Sequence, residues 1–483
     1  QGCSSPRAVF LRGYSLYLAG EKRKEDEGGV DSSGSSHGII GVKRTPAANS
    51  EVTQLYRELS EADAKGGLDA FGMFLFAIVL KHMDLRDRAR EVMGKSCAAF
   101  PLNWSAWLEL ASLTDSYHQI EELDLPDHWV KGFFLAHMDL ELQKNKRGLS
   151  RYHDLATHFP NSHYVQSQMA LASYNMRNFS SAQALFEKIL KEDPYRLDNL
   201  DTYSNILYVR EQKTQLSFVA HNALRNEKYR PETCCIVGNY YSLKSQHEKA
   251  VLYFKRALQL NHQYLSAWTL MGHEYVEMRN TAAAIEAYRR ALDITQRDYR
   301  AWYGLGQTYE ILQMHFYSLH YFRKATALCP FDARMWCAMG QCYECLKMYP
   351  EAIKCYKRAH ENSDREGIAL NKLGKLYCEV MNDPRQAAVH YEQNLMMLDA
   401  EQVESQQTMD ALLFLARYLK NPELSRLDDA EVFCQRLHES YGADKEEVGA
   451  LMKEIRQLKQ RVPSSAPPRA PGAGSGPPPT SFL

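Results

Sequence analysis

Apolar and small residues in the middle of the chain recur on two scales. Trp302, Leu305, Gly306 and Tyr309 are three and four apart, which places them on one face of a helix. Phe322 and Ala325 belong to a second helix that ends before Pro330, because proline lacks the donor that a further turn needs. The whole set repeats every 34 residues: Trp268, Met271, Gly272, Tyr275, Ala284, Tyr288 and Ala291 precede it, and Trp336, Met339, Gly340, Tyr343, Ala352, Tyr356 and Ala359 follow. One period earlier stand Gly238, Tyr241, Ala250, Phe254 and Ala257. Small residues at fixed places let two helices approach closely, and the large ones fill the space around the crossing. The pattern predicts antiparallel helix pairs stacked side by side.

A 34-residue unit with this order of Trp, Gly, Tyr, Ala, Phe and Pro is the tetratricopeptide pattern. The expected fold is therefore all-α, a tetratricopeptide-repeat superhelix or α-solenoid. At 483 residues a globular chain would split into several domains, but an array grows by adding units, so one long solenoid is expected.

The signature is strongest over 230–365 and degenerate over 51–229 and 366–440. In the first degenerate block, Pro101, Pro160 and Pro194 stand at the ends of second helices, Ala89, Ala182 and Phe186 hold small and large positions, and Asp115 to Pro126 is irregular. In the second, Leu370, Leu373, Gly374, Tyr377, Ala387 and Tyr391 keep the order with about one extra residue near Asp383. Residues 1–20 read as the remnant of an N-terminal repeat, and 441–461 as a polar capping helix over the last apolar face. The run EKRKEDEGG and the Ser/Gly-rich residues after it predict a disordered insertion over 21–50, and the Pro/Gly-rich 462–483 a disordered tail. The chain begins with Gln1 rather than methionine and reads as a piece of a longer protein lacking its N-terminal part.

Charge adds little in bulk. With 58 basic and 59 acidic residues the formal net charge is −1, which gives no electrostatic reason to expect nucleic acid or an anionic membrane. The eleven cysteines are scattered without small-scaffold spacing, which favours a reducing intracellular compartment. Cys342 and Cys345 form a C-x-x-C near Cys337 and Cys355, but all four fall on repeat helices and no second pair has zinc-ligand spacing. Gly304 and Gly306 sit inside a helix rather than in a phosphate-binding turn, and His273 beside Glu274 lacks a third partner. No enzyme, cofactor or metal site is expected.

The inner face of the array remains. Helical periodicity puts Asp198, Asp201, Asn205, Glu232, Asn239, Thr269, His273, Glu277, Tyr303, Gln307, Glu310, Gln341 and Glu344 on the first-helix stripe, with Arg300 as the basic exception. Such a face suits an extended arginine-bearing peptide: carboxylates accept the guanidinium fork, amides satisfy peptide backbone and tyrosines stack on the cation. The same carboxylates on a solvated helix face would equally keep an array soluble. A cochaperone-type adaptor is the alternative binding module, but it needs a basic clamp for an acidic chaperone tail.

At NYYSLKSQHEKA (239–250), AWTLMGHEY (267–275) and RDYRAWYGLGQTYEIL (297–312) the chain resembles the subunit 8 family of the anaphase-promoting complex. DPYRLDNLDTYSNILYVR (193–210) and KYRPETCC (228–235) extend that likeness over roughly 10–460. The resemblance implies a non-catalytic scaffold of a multi-subunit ubiquitin ligase in mitosis. It implies partnership with other tetratricopeptide subunits, with a second copy as a homodimer, and with an activator's arginine-containing C box. Carried over by position, Asn239 and Glu274 are implied as the C-box contact pair. By repeat register Glu274 lies at the margin of the inner stripe, whereas Glu277 lies on it. Both are expected to face solvent, so that removing Asn239 and Glu274 together leaves folding unchanged.

Overall fold

A computed structural model of the chain describes residues 5–29, 49–362, 364, 366–401, 406–421, 426–440 and 445–461. Among them every regular element is a helix. Successive pairs include Trp129–Glu141 with Asn145–His158, His163–Asn175 with Phe179–Glu192, Leu200–Val209 with Lys213–Asn226, and Pro231–Leu243 with His247–Leu260. Further along stand Tyr299–Ile311 with His315–Leu328, and Ala333–Cys345 with Tyr349–Glu361. The fold is the tetratricopeptide array that the periodicity predicts. The chain divides into two compact units at Glu274 and Tyr275, inside helix Leu265–Glu277. In an array each repeat touches chiefly its neighbours, so no single core holds the whole chain.

Three devices recur with the period. The first is the crossing inside each pair. A Cβ at Gly340 would lie 2.8 Å from Tyr356, and one at Gly374 would lie 2.6 Å from Tyr391. Gly238 and Gly306 face Phe254 and Phe322 in the same way. The missing side chain is what lets the aromatic ring of the second helix lie on the backbone of the first.

The second device ends each first helix. Gln143, Arg177, Glu211, Ser245, Arg279, Gln313 and Lys347 all have φ between 54° and 61° and stand 34 residues apart. The amide after each reaches back into the last helical turn, as in Asn178 N–H to Ser173, Gln212 to Leu207, Gln246 to Tyr241 and Met348 to Tyr343. This is the Schellman closure, which satisfies carbonyls that the helix end leaves over. Asn382 has the next positive φ among non-glycine residues, at 50°, one residue late, which places the extra residue seen near Asp383 in the sequence.

The third device ties the linker to the next first helix. Trp268, Trp302 and Trp336 each donate their indole N–H to a carbonyl six residues back, at His262 (3.0 Å), Gln296 (2.8 Å) and Pro330 (2.8 Å). Outside these three repeats, other residues make the same bond. Trp107 reaches Pro101 at 2.8 Å, Gln166 reaches Pro160 at 3.2 Å, and Thr233 reaches Glu227 at 2.8 Å.

Two expectations change at the N-terminal end. Helix Pro6–Gly29 runs through Glu21–Gly29, so the start of the segment expected to be disordered is helical. The Glu, Lys and Arg in that run are good helix formers, and a solvated helix extension needs no core. Residues 30–48 lie outside the described residues, as do 462–483. Asn49, at the far side, is buried and donates to the Tyr17 carbonyl at 3.2 Å and to Glu21 at 3.0 Å. The stretch from Asp115 to Pro126 is not wholly irregular, since Tyr117–Glu121 is helical. It is anchored by the Tyr117 hydroxyl, which donates to the fully buried Asp139, and by Lys144 and Arg147 against the Tyr117 ring. At the other end, helix Lys445–Arg461 buries Val448, Leu451 and Ile455 in a cluster with Leu412, Leu415 and Leu437.

Replacing Gly340 by alanine should lower stability by about 1–3 kcal/mol, because the ring of Tyr356 must move. A chemical denaturation midpoint equal to that of the unmodified chain would show that the crossing has room to spare.

Candidate functional site: a buried polar ladder

In the first unit, consecutive first helices are joined by polar side chains as well as by apolar packing. Asn239, on helix Pro231–Leu243, donates through Nδ2 to Asn205 Oδ1 and to Ser204 Oγ of helix Leu200–Val209, both at 2.7 Å. One turn further on, Ser242 Oγ donates to Glu274 Oε1 of helix Leu265–Glu277 at 2.7 Å and lies 3.3 Å from the Tyr208 hydroxyl. The second carboxylate oxygen of Glu274 meets His247 Nδ1 at 2.8 Å. Asn205 to Asn239 and Tyr208 to Ser242 are steps of one period, so the repeat itself brings each pair together. A second tie skips a repeat: Tyr264 donates its hydroxyl to Asp201 Oδ2 at 2.9 Å. Burial, and then the Asp201 carboxylate, hold the Tyr264 hydroxyl well above the usual tyrosine range, so it remains a donor.

This geometry corrects the picture of a solvent-facing pair. Asn239 and Glu274 are 3% and 5% exposed, and Asp201 and Thr269 are also buried. The physical reason is that first helices pack against one another, so part of the inner stripe, as well as its margin, closes under the next helix. Glu277, which register puts squarely on the stripe, is exposed, whereas Glu274 joins the ladder. Glu277, Gln307 and Glu310 belong to the second unit. There Gln307 donates to the Tyr303 hydroxyl at 3.3 Å, and burial raises the Glu310 carboxyl. The structure thus bonds Asn205 to Asn239 in one rung and Glu274 to Ser242 and His247 in another, with Asn239 and Ser242 one turn apart on helix Pro231–Leu243.

Several carboxylates read as groove liners already have cations. Arg230 lies 3.1 Å from Asp198, 3.3 Å from Glu232 and 3.8 Å from Glu227. Burial works against its charge, but Glu232 and Asp198 outweigh it and raise the guanidinium. Glu344 accepts from Tyr356 at 2.9 Å and lies 3.6 Å from Lys372. The acidic trend is therefore less available than a count of side chains suggests.

Sequence reasoning missed Ser204, Tyr208, Ser242, His247 and Tyr264. A search for polar residues one period apart would have found Tyr208 with Ser242. His247 stands on a second helix and carries no such signal. Ser242, Glu274 and His247 are the residue types of a hydrolase triad joined in another order. Here the carboxylate is in the middle and accepts the serine hydrogen bond, whereas nucleophilic catalysis needs the imidazole between serine and acid. The network can hold helices together or receive donors, but it does not activate Ser242. The cysteines are equally quiet: Cys337, Cys342 and Cys355 are buried, and burial pushes the Cys342 thiol up to about 11.

A sequence profile described as anaphase promoting complex subunit 8 / Cdc23 matches residues 1–170, and tetratricopeptide profiles match 231–264, 272–312 and 333–363. Anaphase-promoting complex subunit 8 of Arabidopsis thaliana is 52% identical over 462 residues, covering 95% of this chain and 78% of its own. This chain belongs to the anaphase-promoting complex subunit 8 family. The subunit 8 protein of Dictyostelium discoideum is 54% identical over 421 residues, with 87% of this chain and 70% of that protein covered. A cell division cycle protein 23 homolog of Homo sapiens is 46% identical over 222 residues, 46% of this chain and 36% of its own. In fold, the crystal structure of the APC/C hetero-tetramer Cut9-Hcn1 matches with a TM-score of 0.57 at 17% identity, over 84% of this chain and 81% of that one.

Because Asn239 and Glu274 are buried and bonded, removing either should destabilise the chain. Asn239→Ala and Glu274→Ala are each expected to cost about 1–3 kcal/mol in urea unfolding, since each leaves buried partners unsatisfied. Unfolding curves that superpose on the parent's would overturn the ladder as a structural element.

Proposed function

We propose that this chain is a non-catalytic scaffold of the anaphase-promoting complex, a multi-subunit ubiquitin ligase acting in mitotic progression, in the nucleus and cytoplasm. Its repeats hold partner tetratricopeptide subunits and a second copy of the chain. Its first-helix face around Asn205, Asn239 and Glu274 receives an arginine-containing activator peptide.

The polar ladder carries the second part of this reading. Glu274 is a carboxylate held in fixed geometry by neutral or exchangeable donors, Ser242 and His247, and among the described residues it forms no ion pair with a lysine or arginine. An incoming guanidinium can replace those donors with a charge-assisted fork, and the amides of Asn205 and Asn239 can turn to peptide backbone. Tyr208, 37% exposed beside Ser242, offers a ring edge at the mouth. A cochaperone clamp would need lysine and arginine side chains in this place, and the ladder of Ser204, Asn205, Tyr208, Asn239, Ser242, His247 and Glu274 contains neither.

The scaffold reading predicts that tagged chain co-purifies with other subunits of the ligase; recovery of the chain by itself would sink it. The peptide reading is tested by fluorescence anisotropy with an arginine-bearing C-box peptide. Asn205→Ala, at a half-buried position, should weaken binding about tenfold with the thermal midpoint near that of the parent. Equal affinity for that variant, and for a peptide with its arginine changed to alanine, would refute the site.

A further inference from the structure

On another face of the first unit, helix Lys213–Asn226 and helix Pro231–Leu243 leave an open cavity of about 330 Å³ between them. Its lining is Lys213, Thr214, Ser217, Tyr240, Leu243 and Lys244, with two cations, three hydroxyls and no carboxylate. Lys213 and Lys244 are exposed, and neither forms an ion pair with a described carboxylate. Arg230, nearby in sequence, is by contrast held by Asp198, Glu227 and Glu232. Lys244 instead donates to the hydroxyl of Tyr240 and sits 4.2 Å from the centre of its ring. The Tyr240 hydroxyl is held below the usual tyrosine range by its hydrogen bond with Lys244 and then by that with Ser217.

Two uncompensated ammonium groups around three hydroxyls match one kind of ligand better than others. A carboxylate carries one charge and leaves a lysine unmatched. A phosphoryl monoester carries close to two charges and offers three strong acceptor oxygens. Leu243 and the face of Tyr240 give the same cavity an apolar side, against which the carbon of a phosphorylated side chain can lie. Phe218, on the same helix face one turn beyond Thr214, is 73% exposed and extends that apolar surface.

We propose that this cavity is a docking site for a phosphorylated serine or threonine of a partner protein segment. Lys213 and Lys244 neutralise the phosphate, Thr214 and Ser217 hydrogen-bond its oxygens, and Leu243 with Tyr240 contacts the side-chain carbon. The site is separate in residues from the ladder of Asn205, Asn239 and Glu274, so the two fail or stand independently.

The test uses the whole chain and a short fluorescent peptide with one central phosphothreonine, measured by anisotropy beside its unphosphorylated and aspartate forms. The phosphopeptide is expected to bind at least about tenfold more tightly than either, and added salt should weaken it. Lys213→Gln with Lys244→Gln should remove that preference while the far-ultraviolet circular dichroism and the affinity for the arginine-bearing peptide stay as they are. Thr214→Ala, at an exposed position, is the second variant and should reduce the preference by itself. Equal binding of the three peptides, or a phosphopeptide preference that survives the double lysine variant, would overturn the proposal. Competition by inorganic phosphate at the same concentration as the phosphopeptide would overturn it too, since the ligand would then be free phosphate rather than a protein segment.

Discussion

The close crossing of the two helices in each repeat is the constraint on which the rest depends. Gly238, Gly306, Gly340 and Gly374 give up a side chain so that Phe254, Phe322, Tyr356 and Tyr391 can rest on backbone. That crossing fixes how far apart the helices of a pair stand, and hence where the next first helix can lie. The polar ladder exists because that placement brings residues one period apart within hydrogen-bond distance, as with Asn205 and Asn239. A chain that packed its helices more loosely would leave the same amides in water.

The architecture was legible where a residue type is irreplaceable, and illegible where the backbone makes the demand. Glycine at the crossing has no substitute but a very small residue, so its period stands out in the sequence. The turn closing each first helix needs only a residue that tolerates positive φ, and here Gln143, Arg177, Glu211 and Ser245 all serve. Its period is regular in the structure yet invisible to inspection. The linker bond is intermediate: three tryptophans announce it, while Gln166 and Thr233 make it without any signature. Degenerate repeats are thus degenerate in spelling more than in bonding.

The site was read less well. Spacing brought Asn205 and Asn239 to notice, and resemblance pointed to Glu274, but neither revealed burial. Periodicity assigns a residue to a helix face; it does not say whether a neighbouring helix covers that face. His247 and Tyr264 enter from outside the first-helix stripe, so a search along the stripe passes over them. The charged surroundings were misjudged for a related reason: Arg230 lies between helices in the chain, where a face-by-face reading does not count it against Asp198 and Glu232.

The bond from Tyr264 to Asp201 sets this stretch apart from an ideal array. A solenoid with only nearest-neighbour terms can fray one repeat at a time, like a zipper opened tooth by tooth. Here helix Leu200–Val209 is tied across helix Pro231–Leu243 to the segment entering helix Leu265–Glu277. The middle helix cannot leave without breaking a tie that is not its own. Amide protons over the three helices should therefore exchange as one cooperative block, and the place where the polar ladder lies becomes a stiff segment.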